Sequence, residues 1–350
     1  MPIAERARGK ALELGIAFDA HLDLTHRCNE RCVHCYLVHH GHGELSTGEI
    51  LAILEQLAAH GTFFLTLSGG EPLLRHDFFA ILQHASALGF ATRVKTNATL
   101  VGQREADLFR LAKVDRVEVS LYSHRPEIHD QVTGMRGSHQ ETLHGIRHLL
   151  DNHVRVTITH IFMRNNASGL DGVKRLADHL GVSLQIDPTL TPMINGDLAP
   201  LALNVPPPEL EALMHSGLFS AEECPPLVPP SGSFLGARLC DAGHTHVDVA
   251  PNGDVWPCVQ FPLLAGNLKT QTFEEVWRGA ETLRRIRALR LKDLPVCSSC
   301  SHGAICSRCS GLAMMQGDLL GTSHLDCSKA QARTRIVPNI SSTPASRLAT

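Results

Sequence analysis

Cys28, Cys32 and Cys35 fall within eight residues, Cys28-Asn29-Glu30-Arg31-Cys32-Val33-His34-Cys35. A thiolate is a soft donor suited to zinc or to iron–sulfur clusters. Three thiolates are one short of a closed four-ligand site. His26 or His34 would complete a zinc site, whereas a cubane on three cysteines leaves one iron free to bind something else. Further on stands Gly69-Gly70-Glu71-Pro72. Its glycines let backbone approach a ligand closely, Glu71 adds an acceptor, and Pro72 fixes the exit of the turn. The other eight of the 11 cysteines all lie between residues 224 and 327, with none from 36 to 223. That distribution describes two metal-binding regions separated by a cysteine-free body. Within the second region, Cys297/Cys300 and Cys306/Cys309 are two CxxC pairs that one zinc ion could join, leaving Cys240, Cys258 and Cys327 without a role.

The elements that must position these groups alternate. His21 to Thr25 reads as a short strand delivering the chain into the Cys28 loop. Ser46 and Glu49 make a capping box ahead of Ile50, Ile53, Leu54 and Leu57 at helical spacing. Phe63 to Leu67 is a buried-strand run ending at the Gly69 loop, and Asp77 caps a helix carrying Phe78, Phe79, Ile81 and Leu82. Strands follow at Thr92–Thr96, Arg116–Leu121, Arg155–Phe162 and Ser183–Asp187. Helices intervene at Arg104–Ala112, Gln140–Asn152 and Leu170–Leu180. Six β–α units in succession predict a parallel sheet with helices outside, because each parallel pairing needs a crossover. From Pro188 to Gly236 the periodicity fades and proline becomes dense, a linker broken by one short helix at Pro208–His215. His246–Val249 and Val255–Trp256 flank a Gly-containing turn and read as a β-hairpin; a single helix is expected from Phe273 to about Leu291.

The Cx3Cx2C spacing resembles the signature of radical S-adenosylmethionine (SAM) enzymes, and Gly69-Gly70-Glu71-Pro72, one β–α unit later, looks like that family's GGEP loop. The resemblance spans about residues 20 to 335. It implies that Cys28, Cys32 and Cys35 hold a [4Fe-4S] cluster whose free iron chelates SAM, and that the Gly69–Pro72 backbone binds the SAM amino group. Asn97 and Ser120, at the ends of the third and fourth strands, fall where relatives line the SAM pocket; each also reads as a local cap. His34 stands where the family usually has an aromatic residue, and with Tyr36 it is assigned to cofactor binding. Pro126 to Gly134 resembles the HD…TG segment of relatives with a SPASM extension, and Asn165 stands where these relatives also carry asparagine.

The later cysteines are similar to the SPASM pattern of one or two auxiliary iron–sulfur clusters. By that likeness Cys297, Cys300, Cys306 and Cys327 hold an outer cluster, and Cys240, Cys258 and Cys309 an inner one. Only Ser307 and Arg308 separate the last two clustered cysteines, where relatives have three residues. The inner cluster is completed by Cys224, or by a non-cysteine ligand, or it keeps an open iron. Asp241 and Asp254 are general-base candidates that also read as solvated surface carboxylates.

The fold expected from this resemblance is α/β: a partial (β/α)6 barrel of the radical SAM type followed by a small cysteine-rich SPASM domain with a β-hairpin and helices. Its parts are an N-terminal extension (1–19), the radical SAM core (20–190), a Pro-rich linker (191–236), the SPASM domain (237–335) and a flexible tail (336–350). The implied activity is reductive cleavage of SAM to a 5′-deoxyadenosyl radical that abstracts hydrogen from a substrate. Oxidative modification of a side chain in a ribosomally made peptide is the first reading, with tetrapyrrole side-chain decarboxylation as the alternative. A non-catalytic iron–sulfur or zinc-ribbon scaffold gives no account of the Gly69 loop. The partners implied are the peptide or tetrapyrrole, an electron donor such as flavodoxin or ferredoxin, and a separate peptide-recognition protein, since few residues precede Cys28.

Composition agrees with an ordinary globular chain, at 43% hydrophobic and 19% charged residues. A net charge of −3 without blocks of one sign excludes a nucleic-acid or acidic-membrane binder. With no run long enough to span a bilayer and no signal-peptide core, a cytoplasmic location is expected. The 22 histidines include His39, His40 and His42 in one Gly-rich loop, and most are read as surface residues.

Overall fold

The computed structural model describes residues 3–40, 43–216 and 234–333 of the chain; Cys224, His42, much of the proline-dense linker and the tail lie outside these. By packing, the described residues form two compact units, one from those within 3–203 and 242–284, the other from those within 204–241 and 285–333.

The first unit opens with helix α1 (Ile3–Leu14) and strand β1 (Asp19–Asp23). The cysteine loop follows β1, and then come α2 (Thr47–His60), β2 (Phe64–Ser68), α3 (Phe78–Ala87) and β3 (Ala91–Thr96). The chain continues through α4 (Gln103–Leu111), β4 (Arg116–Ser120), α5 (Pro126–Thr133), α6 (Ser138–Asp151), β5 (Val156–Ile161), α7 (Leu170–Leu180) and β6 (Ser183–Asp187). Strands β1 to β6 pair in order and in parallel. The six expected parallel strands and the five helical crossovers between them are therefore present, shifted by one or two residues at most ends. No α-helix follows β6 before this unit's first segment ends at residue 203.

Val94, Val117, Val119 and Ile158 from the strands pack with Ile50, Ile53, Leu54, Phe78, Phe109 and Ile146 from the helices in one buried core. The α2 capping box forms as expected, with Ser46 accepting from the Glu49 amide and Glu49 reaching back to Ser46. Asp77 precedes α3 but makes no side-chain cap. Its carboxylate is taken by Arg75, at 2.6 and 2.9 Å, and by the Thr47 hydroxyl, because a buried guanidinium is the stronger partner.

The hairpin forms from β7 (His246–Val249) and β8 (Asp254–Trp256), and β7 pairs in parallel with β1, pairing His21 with Asp248. With β9 (Gly266–Asn267) it extends the sheet to the order β6-β5-β4-β3-β2-β1-β7-β8-β9. Residues 242–284 thus pack with the barrel strands, although in sequence they follow the linker. The single helix expected from Phe273 is two, α9 (Phe273–Gly279) and α10 (Glu281–Ala288). Ala280 between them is extended, at φ −63° and ψ 124°, and directly follows a glycine that weakens a helix interior.

In the second unit, α8 (Pro207–His215) packs against α12 (His324–Arg333). The short helix α11 (Ser310–Met315) begins at Cys309.

Candidate active site at the ends of the parallel strands

The loop after β1 carries Cys28, Cys32 and Cys35 into a cavity of about 240 Å³ at the C-terminal ends of the strands. The same cavity is lined by Gly69 and Gly70 after β2, Asn97 after β3, Ser120 at the end of β4, and His34 and Tyr36. Tertiary structure thus gathers residues spread over about a hundred positions.

The cysteine loop is held from two sides. On one, Arg31 N donates to Thr133 O at 2.8 Å and Val33 N to Val132 O at 2.9 Å, so the end of α5 forms its backbone support. Gly134 permits that approach: it has φ +66°, and a Cβ there would stand 3.0 Å from Arg31 O. On the other side runs the glycine loop. Gly70 N donates to Thr25 O and Glu71 N to Arg27 O, each at 2.8 Å. A Cβ on Gly70 would stand 2.2 Å from Arg27 O, and Gly69 has φ +131°. Only glycine lets β2's exit lie this close to the cysteine loop.

Glu71 and Pro72 do not line the cavity. The Glu71 carboxylate is fully buried and accepts from Leu73 N, Thr96 Oγ1 and Asn97 N at 2.8–3.0 Å. Burial pushes its pKa up to about 7 against those hydrogen bonds. Glu71 therefore braces β3 and sets the Asn97 backbone. The Asn97 side chain donates to Asn29 Oδ1 at 2.8 Å, tying the third strand to the cysteine loop.

His34 lies edge-on to Tyr122, ring centroids 4.7 Å apart, and burial lowers its pKa to about 4, so it is a neutral wall. Tyr36 donates its hydroxyl to Asp23 Oδ2 at 3.1 Å. Asp241 pairs with Arg238, and Asp254 is held by Asn252 and Asn267; neither lines the cavity. Asn165 is exposed and outside it, while its neighbour Asn166 is buried and caps the loop through Met163 N and Ile161 O.

Burial pushes the Cys28 thiol up to about 12 and raises Cys32 and Cys35 as well. Such thiols become thiolates when a metal cation supplies the missing charge. One tetrahedral zinc would hold its sulfurs about 3.8 Å apart. Among the described residues, the one set of three histidine, cysteine or acidic ligand atoms within 4.8 Å of one another contains no cysteine. The spread of the thiols fits a multi-iron cluster better than a single ion, and the backbone-lined glycine loop beside them fits a small polar cofactor.

In the second unit Cys297, Cys300, Cys306 and Cys327 are electrostatic neighbours: Cys306 feels Cys327 and Cys297, and Cys327 feels Cys297 and Cys300. Burial pushes Cys306 up to about 11. Cys309 belongs to the same unit and receives its place from Asp326, which accepts the Cys309 amide at 2.8 Å. Cys240 falls in this unit as well, and Cys258 in the first.

Several cavity residues carry no sequence signal. Glu30, buried against the Cys32 thiol at 3.4 Å, is pushed up to about 7 by burial. Lys95 and Glu118 pair at 3.3 Å across β3 and β4. His21, on β1, reads from sequence only as one polar position in an alternating strand.

Comparison with known proteins supplies the family. Residues 22–177 match the radical SAM superfamily, and residues 240–301 match SPASM, an iron–sulfur cluster-binding domain. The AdoMet-dependent heme synthase of Methanosarcina barkeri is 30% identical over 320 residues, covering 83% of this chain and 90% of that protein. The mycofactocin maturase MftC of Mycobacterium tuberculosis is 30% identical over 309 residues, covering 81% and 75%. In fold, the chain is similar to Streptococcus suis SuiB bound to the precursor peptide SuiA, at a TM-score of 0.72 and 16% identity, covering 92% of this chain and 80% of that one.

Proposed function

The chain belongs to the radical SAM superfamily and carries a SPASM iron–sulfur domain, and we propose that it oxidatively modifies a side chain of a ribosomally made peptide. It is a radical SAM enzyme, and its cofactors are SAM and [4Fe-4S] clusters. When bound, they supply a 5′-deoxyadenosyl radical able to abstract a substrate hydrogen.

The residues of the chain have defined tasks in this reading. Cys28, Cys32 and Cys35 hold the SAM cluster; Gly69 and Gly70 give the cofactor room against backbone. Asn97 and Ser120 orient it from β3 and β4. Glu71 acts through another residue, holding the Asn97 amide. His34 and Tyr122 exclude water from one wall. Cys297, Cys300, Cys306 and Cys327 hold the outer auxiliary cluster, with Cys240, Cys258 and Cys309 assigned to the inner one.

The observation that carries the peptide reading is a maturase at 30% identity over most of the chain. A second reading, side-chain decarboxylation of a tetrapyrrole, is favoured by the heme synthase relative. An electron donor of the flavodoxin or ferredoxin type and a separate peptide-recognition protein are part of the proposal. Reconstituted, reduced enzyme is incubated with SAM and either short peptides encoded beside its gene or a propionate-bearing tetrapyrrole, and products are read by mass. A peptide product lighter by two hydrogens, or by a carboxyl group and a hydrogen, supports the first reading. Carbon dioxide loss from the tetrapyrrole alone overturns it.

A further inference from the structure

We propose that His21, Asp23 and Asp248 bind one divalent first-row metal ion, at a site distinct from the cysteine-held clusters. His21 and Asp23 stand two residues apart on β1 and so share a face. Asp248 on β7 is the register partner of His21. One ligand atom from each lies within 4.8 Å of the others. The three residues are only 8%, 1% and 0% exposed.

Neither Asp248 oxygen has a hydrogen-bond partner among the described residues. A buried carboxylate without a partner is costly, so something must occupy its lone pairs. A proton shared with a neighbour would draw oxygens to about 2.5–2.7 Å, yet no hydrogen bond joins Asp248 to His21 or Asp23. Donors around an ion at about 2.0–2.2 Å stand roughly 3–3.6 Å from one another. The 3.1 Å between His21 Nε2 and Asp23 Oδ1 suits that arrangement. Tyr36 holds Asp23 Oδ2 at 3.1 Å, leaving Oδ1 toward His21, as outer partners orient a ligating carboxylate.

Charge points the same way. Burial, the largest influence on His21, pulls its pKa down, but Asp23 and Asp248 outweigh it. Burial instead pushes Asp248 up to about 8, the cost of keeping its carboxylate charged without a partner, and a bound cation would remove that cost. In its ligating form the cluster presents one neutral imidazole and two carboxylates, whose charge the nearby Lys95, paired with Glu118, does not balance. One imidazole and two carboxylates suit Mn²⁺, Fe²⁺, Co²⁺ or Zn²⁺. His21 also lines the cavity, so the ion would border the cofactor chamber.

The test uses the full chain with its clusters reconstituted, titrated with MnCl₂ and followed by electron paramagnetic resonance. Mn²⁺ is the probe because thiolates bind it poorly. One equivalent should bind, with spin-echo modulation from one imidazole nitrogen. Asp248→Asn should weaken binding by about tenfold to a hundredfold at unchanged cluster absorbance, and Cys28/Cys32/Cys35→Ala should leave it intact. If a resident ion already fills the site, total metal by mass spectrometry still exceeds that of Asp248→Asn by one per chain. Equal metal totals with no Mn²⁺ uptake, equal Mn²⁺ affinity in Asp248→Asn, or bound Mn²⁺ without nitrogen coupling would each overturn the proposal. The nitrogen coupling is read on the unmutated protein and decides even if the variant does not fold. Loss of SAM cleavage with Mn²⁺ binding retained would count against the cluster assignment, not this site.

Discussion

Two residues of one loop divide the labour at the cavity. Gly70 is required for space: a Cβ there meets the Arg27 carbonyl at 2.2 Å, backbone against backbone, so neither side yields by a rotamer change. Gly70→Ala should weaken SAM binding about tenfold or more, by displacing the loop at a cost of roughly 1–3 kcal/mol. Equilibrium dialysis with labelled SAM, at unchanged iron content, checks this; unaltered affinity would contradict it. Glu71 is required for bracing, and its pKa gives a signature. Burial raises the folded pKa to about 7, above the ordinary value of 4.5. Between those values the folded state holds more protons than the unfolded state, so this residue's contribution to stability falls as pH rises through the window. Glu71→Gln should therefore gain stability relative to the parent from pH 4.5 to 7, by up to about 3 kcal/mol. Parallel unfolding curves for the two proteins across that range would refute the assignment.

Among the elements, the junction after β2 depends on Arg75. Its guanidinium donates to Leu24 O beyond β1 at 3.0 Å, to Leu45 O ahead of α2 at 3.1 Å, and twice to Asp77 before α3. Three chain segments around the cavity meet at one buried cation. Arg75→Met leaves the Asp77 carboxylate buried without its cation, held among the described side chains by the Thr47 hydroxyl alone, removes the donor to two carbonyls, and should cost about 3–5 kcal/mol. Arg75→Lys should recover only part, since an ammonium lacks the planar fork. Denaturant unfolding of the three proteins measures both; a fully restored lysine variant would show that charge alone suffices.

For the whole molecule, the quantity that tests the assignments is iron. Reconstituted protein should hold about 10–12 irons per chain, and Cys28/Cys32/Cys35→Ala should remove about four of them while abolishing 5′-deoxyadenosine formation. A plateau near four irons, with zinc making up the difference, would remove the auxiliary clusters. Cys224→Ala should leave iron content unchanged, because an isolated cysteine in a proline-bounded stretch is more often structural than ligating. Loss of iron in that variant would make the inner cluster a closed one.

Periodicity and spacing were enough to read the six parallel strands with their helical crossovers, the capping box at Ser46 and the two cysteine regions, because each is a short-range pattern whose physics is local. The family followed from Cys28, Cys32, Cys35 and the glycines one unit later for the same reason. Long-range pairing decided the rest. Whether Asp77 caps a helix or binds Arg75 depends on a buried partner that local propensity does not see. Glu71 faces β3 rather than the cavity because Thr96 and the Asn97 amide offer it hydrogen bonds there. Most of all, β7 adds to the edge of β1 across more than two hundred intervening residues. His21 and Asp23 look from sequence like polar positions of a strand, and Asp248 like one of a distant hairpin; only the parallel register buries them side by side.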